Sequence, residues 1–185
     1  MQIRTRLQHI WATAVETVST ILGRNYKSKE TKSDDWKVFF SLVSSAMAHK
    51  EGQSLVSGYE SLSSEETFKK VAEMEKKLEF LNRISGYSAA LNLIVRQEKK
   101  WFYHLIRLDT KKTTVEVQSY ARDNFTEAAT DYDKASIEAN SEIDCVLVAA
   151  GPINLLKRAY PNYFLDISSF KTFVGQIVAE AKLKL

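Results

Sequence analysis

An α+β fold is predicted by three features of the 185-residue sequence. Apolar residues recur at steps of three and four through the first half, two β-rich runs follow near residue 101, and a short run, apolar except for Asp144, covers 143–150. The expected architecture is a helical N-terminal half of long amphipathic helices. A small α/β unit with a β-hairpin, a buried strand and packing helices should follow it.

Residues 5–23 place Leu7, Ile10, Trp11, Ala14, Val15, Val18 and Leu22 on one helical face, and Gly23 is a natural stop. "RNYKSKETK" reads as a polar, basic link. Ser33 ahead of Asp34 and Asp35 reads as an N-cap with carboxylates in the first turn, where the helix dipole favours them. The helix it opens should bury Trp36, Phe39, Phe40, Val43 and Met47. "EGQSLVSGYESLSS" reads as a loop, and Ser63 with Glu66 as a capping box. Beyond it Phe68, Val71, Met74, Leu78, Leu81 and Ile84 predict one long amphipathic helix to about residue 98, with Gly86 a candidate kink. The run holds fewer than four heptads, which favours packing inside the chain over a coiled-coil dimer.

"WFYHLIRL" and "TTVEVQSY", joined by "DTKK", predict a hairpin. The interleaved aromatic and basic residues of "KKWFYHLIRL" also suit base stacking, but in a hairpin such rings are expected as cross-strand pairs and core. Residues 124–140 read as a helix with Phe125, Ala128, Ala129, Tyr132 and Ala139 inward. "IDCVLVAA" reads as a strand covered on both faces, with Cys145, the single cysteine, a small core hydrophobe without a cationic neighbour in sequence. Gly151-Pro152 should turn the chain into a short helix, and "AYPNYFLD" reads as an irregular aromatic segment. Phe170, Phe173, Val174, Ile177, Val178 and Ala181 mark a final helix.

A net charge of +3 is too small to demand a nucleic acid or an anionic membrane as partner. One cysteine supplies no disulfide framework, and no run reaches the ~18 apolar residues of a membrane span, so a cytoplasmic location is expected. His9, His49 and His104 have no Cys, His or carboxylate partner at metal-ligand spacing, so no metal site is predicted. Neither a Gly-rich phosphate loop nor a Gly-x-Ser-x-Gly elbow occurs.

The opening stretch is more specific. "QIRTRLQHIWATAVE" resembles the segment "E-x-Q-I-R-T, four to five residues, W-A, then Glu" of the RelA/SpoT synthetase domain, and "NYK" at Asn25–Lys27 resembles the Tyr-Lys that follows that helix. The resemblance implies guanosine tetra- and pentaphosphate metabolism. In the complete family a pyrophosphoryl group moves from ATP to GDP or GTP with magnesium. Gln2 and Arg4 would then point into the nucleotide cleft, the guanidinium suiting phosphate oxygens, and His9 would face the acceptor guanosine. The family's assisting glutamate, its magnesium-binding Asp and its ATP-holding basic residues belong upstream of Gln-Ile-Arg-Thr. No complete catalytic set, metal ligand or cofactor is therefore expected in these residues, the nucleotidyltransferase-like sheet should be incomplete, and the chain alone should be inactive.

On this reading residues 1–30 end a synthetase core, as a strand remnant plus a helix. Residues 31–98 form a helical region, and 99–185 a small α/β C-terminal domain. "AYPNYFLDISSF", after "CVLVAA", is similar to an extension of longer stand-alone family members. Residues 1–4 should be loosely held or borrow an edge from a neighbour. Two alternatives stand beside this reading. One is a protein- or RNA-binding module, with a homo-oligomer included and RNA the weaker choice. The other is a relative that modifies a different acceptor, such as the 3′ end of tRNA.

Overall fold

The computed structural model describes residues 4–22, 30–95, 100–139, 143–151, 153 and 163–183. The fold is α+β. Helices α1 (Arg6–Leu22), α2 (Glu30–Glu51), α3 (Ser64–Leu78) and α4 (Phe80–Val95) precede strands β1 (Trp101–Asp109) and β2 (Thr114–Ala121). Helix α5 (Phe125–Glu138), strand β3 (Ile143–Ala149) and helix α6 (Tyr163–Leu183) complete the order. Two compact units result. The first takes Met1–Val15, Tyr26–Leu81 and Tyr163–Leu185, the second Glu16–Asn25 and Asn82–Asn162.

In the first unit α2 is the central helix. Trp36, Phe39, Phe40, Val43 and Met47 are buried as their spacing predicts, and so are Leu42, Ser45 and Ala46, so burial extends well beyond one stripe. Phe39 and Phe80 stand 4.6 Å apart between ring centroids, and Phe80 lies 5.6 Å from Phe170 of α6. Burying each such ring is worth about 1.5–3 kcal/mol, which makes this aromatic cluster the main apolar anchor of the unit. The last helix, read from sequence together with the α/β segment, packs on α3 of this helical unit.

Three boundaries differ from expectation. Helix α2 begins at Glu30, so Ser33 lies within it rather than capping it. The long helix is broken at Glu79 and not at Gly86: Glu79 takes a left-handed conformation (φ 48°, ψ 40°) between α3 and α4. The reason is packing. Leu78 and Phe80 would lie about 200° apart on a continuous helix, on opposite faces, whereas the break lets both be buried. Tyr163–Asp166, expected to be irregular, are helical, while 154–162 lie outside the described residues. The capping box is present as predicted, with Glu66 N–H donating to the Ser63 hydroxyl at 3.2 Å and Ser63 N–H donating to the Glu66 carboxylate at 2.8 Å.

The second unit holds an open antiparallel sheet in the order β2-β1-β3. The hairpin forms as predicted, and its turn is held by Lys112 N–H donating to Asp109 Oδ1 at 2.8 Å. The strand buried on both faces is β1, at His104, Leu105 and Ile106. Among the described residues strand β3 pairs with β1 alone and buries only Val146 and Val148, which corrects the reading of "IDCVLVAA" as the doubly covered strand. One sheet face, with Leu105, Cys145 and Leu147, packs on Ala128 of α5. The opposite face carries Ile106 and Leu108 toward α4, where Leu108 occupies the space beside Gly86. Burial pushes the Cys145 thiol up to about 11, which fits its reading as a small apolar residue. Phe125, expected inward, is 53% exposed, because the buried stripe of α5 runs through Ala128 and Ala135 instead.

Among the described residues, no helix is long and apolar enough to cross a membrane.

Candidate functional site

Arg4, Gln8, Trp11 and Ala12 of the N-terminal stretch line one cleft in the first unit. The chain enters α1 through Thr5, whose hydroxyl accepts the Gln8 N–H at 3.1 Å while Gln8 Oε1 accepts the Thr5 N–H at 3.1 Å. This reciprocal pair satisfies donors that a helix start leaves open, so the Thr of Gln-Ile-Arg-Thr is a helix cap. The same hydroxyl donates to Glu51 Oε2 at 3.1 Å, which ties the start of α1 to the end of α2.

The cleft measures about 350 Å³. One wall is Arg4 with Gln8, Trp11 and Ala12, the other is Ser44, Met47, Ala48 and Glu51, and Gln53 and Ser54 close its end. Both walls obey helical spacing: 8, 11 and 12 share one face of α1, and 44, 47, 48 and 51 share one face of α2. Trp11 is fixed by its indole N–H, which donates to the Phe40 carbonyl at 2.9 Å, and by an edge contact with the Phe40 ring at 6.4 Å. With that N–H engaged, Trp11 offers the cleft apolar ring surface.

Arg4 is exposed and lines the cleft. Gln2 lies outside the described residues. His9 is exposed on α1, one position off the cleft-facing stripe, and does not line the cleft. Gln8 and Glu51 were missed by sequence reasoning. The spacing of Gln8 to the Trp-Ala pair was a usable signal for the first, but nothing in the sequence places Glu51 opposite Arg4.

The cleft combines a guanidinium, amide and hydroxyl groups, an aromatic surface and one carboxylate. Such a set can pair with a phosphate or carboxylate at Arg4 and accept donors of a polar ring or sugar at Glu51. Among the described residues that line the cleft, Glu51 is the one carboxylate, and it receives the Thr5 hydroxyl. Among the described residues no group of three or more His, Cys, Asp and Glu is placed to hold a metal.

The second unit holds further titratable groups. Asp144 on β3 accepts the Tyr87 hydroxyl at 2.8 Å and pairs with Arg83. Burial raises the Tyr87 phenol well above its ordinary range, with the Arg83 charge opposing that rise. His104 is buried on β1 with Nδ1 2.9 Å from the Ser119 hydroxyl, and burial lowers its pKa from 6.5 to about 4. It is therefore a neutral side chain at ordinary pH. Nothing in the geometry opens this buried group to a substrate.

No model of a known protein family and no curated protein matches the chain.

Proposed function

We propose that this chain is a RelA/SpoT-like protein linked to guanosine tetraphosphate metabolism, and that the cleft between α1 and α2 is one wall of its nucleotide site. The observation that supports the reading is the convergence of Arg4, Trp11 and Ala12, three residues of the N-terminal motif, on a single cleft with Gln8 between them. Arg4 would hold phosphate oxygens of GDP or GTP, and Glu51 opposite it would accept the donors of the guanine edge or ribose. Gln2 would add to the same site and His9 would meet the acceptor guanosine from the neighbouring helix face. The protein would act in the cytoplasm, where its nucleotides are found.

On this proposal the chain contributes binding without turnover: among the described residues no group of His, Cys, Asp and Glu is placed to hold magnesium. Isothermal titration of the full chain with GDP should show binding that Arg4→Ala weakens at least tenfold, the scale of one lost charge-assisted contact of about 1.5–3 kcal/mol. Absence of GDP binding by the unaltered chain would sink the proposal. Incubation with radiolabelled ATP and GDP should yield no guanosine tetraphosphate, and a detectable product would contradict the claim of inactivity.

A further inference from the structure

The start of the hairpin carries a surface that the nucleotide cleft does not use. Pairing of β1 with β2 slips between Trp101 and Tyr103, leaving one extra residue on β1. Such a bulge re-aims side chains out of the strand's alternation. Phe102 sits there at an edge angle to Tyr103, with ring centroids 4.9 Å apart, and Tyr103 continues to Phe125 at 5.2 Å. The row ends at an exposed ring, since Phe125 keeps 53% of its surface open. Both charges seated on rings here are positive: the Arg122 guanidinium lies 4.2 Å from the Phe102 centroid and the Lys100 ammonium 5.1 Å from that of Trp101. Of the acidic residues beside the row, Glu127 accepts the Asn124 amide at 2.7 Å, and Asp123 stands next to Arg122 in the turn leading into α5.

We propose that this aromatic row is a stacking platform for single-stranded nucleic acid, with a base on the open Phe125 ring and phosphates met by Arg122 and Lys100. The chemistry fits that ligand: every base has a face that stacks on an open ring, and two cations at the row supply the backbone contacts. Two phosphate contacts predict a shallow salt dependence, with log affinity falling about 1.4 per decade of salt. That agrees with the small net charge of the chain, which argues against a deep polyanion groove.

The test is fluorescence anisotropy of a labelled oligouridylate of about 12 nucleotides, titrated with the full chain at about 50 mM salt and then at rising salt. Binding should be seen, Phe125→Ala should weaken it about fivefold or more, and Phe125→Tyr, which keeps the ring, should restore it. Arg122→Gln should weaken binding and flatten the salt slope by about 0.7. Phe125 and Arg122 are both exposed, and circular dichroism of each variant checks that the fold is retained. No binding by the unaltered chain, or binding that Phe125→Ala leaves unchanged, overturns the proposal. So does self-association that depends on Phe125 without retention of the oligonucleotide, because the row would then be a contact between copies of the chain.

Discussion

Tyr87 on α4 donates its hydroxyl proton to Asp144 on β3 at 2.8 Å, and Arg83, one helical turn earlier, pairs with the same carboxylate oxygen. Tyr87 is fully buried and Arg83 nearly so, and both meet the same carboxylate. Removing it leaves a cation and a hydroxyl without their partner. Asp144→Ala should therefore destabilise the chain by about 3–5 kcal/mol, as broken buried pairs do. Urea denaturation at neutral pH measures this, and a loss below 1 kcal/mol would show that water reaches Arg83. The double variant Arg83→Leu with Asp144→Leu should recover much of the loss, since no uncompensated charge then stays inside.

Gly86 marks a close approach and not a kink. A Cβ at that position would collide with the Leu108 side chain from the neighbouring sheet face. Gly86→Ala should cost about 1–3 kcal/mol by overpacking, despite the better helix propensity of alanine. Combining it with Leu108→Val should recover part of that loss, because the shorter side chain vacates the space. Additive losses in this pair, read from denaturant midpoints, would place the strain elsewhere.

These two contacts show where sequence reading reached and where it stopped. Periodicity located the helices and the hairpin, and the Ser63–Glu66 box was legible because a cap is a local, short-range pattern. The break at Glu79 was not, because Leu81 and Ile84 continue the earlier stripe well enough to conceal a second one. That second stripe, Phe80, Ile84, Tyr87, Leu91 and Ile94, is the buried one. Strand order was equally hidden: "IDCVLVAA" is apolar enough for a central strand, yet pairing alone makes β3 an edge and β1 the centre. Of the residues lining the cleft, the motif singled out Arg4, while Trp11 was read only as part of the inner face of α1. Glu51 needed the packing of α1 on α2, which leaves no mark in the local pattern of either helix.

His104 makes stability depend on pH in a direction that follows from its burial. Its folded pKa of about 4 lies below the ordinary 6.5, so between those values the unfolded chain binds a proton that the folded chain refuses. The stabilisation is complete above pH 6.5, falls by about 1.4 kcal/mol per pH unit as pH drops, and levels off near pH 4 after a loss of about 3 kcal/mol. His104→Asn, which keeps an amide near Ser119, should remove this part of the acid slope. Comparing the stability of both proteins at neutral and mildly acidic pH isolates it, and equal slopes would mean that His104 takes up its proton without unfolding.

Glu79 offers the opposite kind of change, a substitution that should stabilise. Its φ of 48° is a conformation that costs a residue with a Cβ roughly 1 kcal/mol and costs glycine nothing. One bond at the cap is a backbone bond, with Glu79 N–H donating to the Glu75 carbonyl, and a glycine keeps it. Glycine also gains freedom in the unfolded chain, which offsets part of the relief. Glu79→Gly should thus raise stability by about 0.5 kcal/mol, while Glu79→Ala, with a Cβ in the same conformation, should gain nothing from the backbone. Calorimetric melting temperatures distinguish the two. If glycine lowers the melting temperature below that of alanine, the helix break is held by the Glu79 side chain, and the left-handed backbone is its consequence.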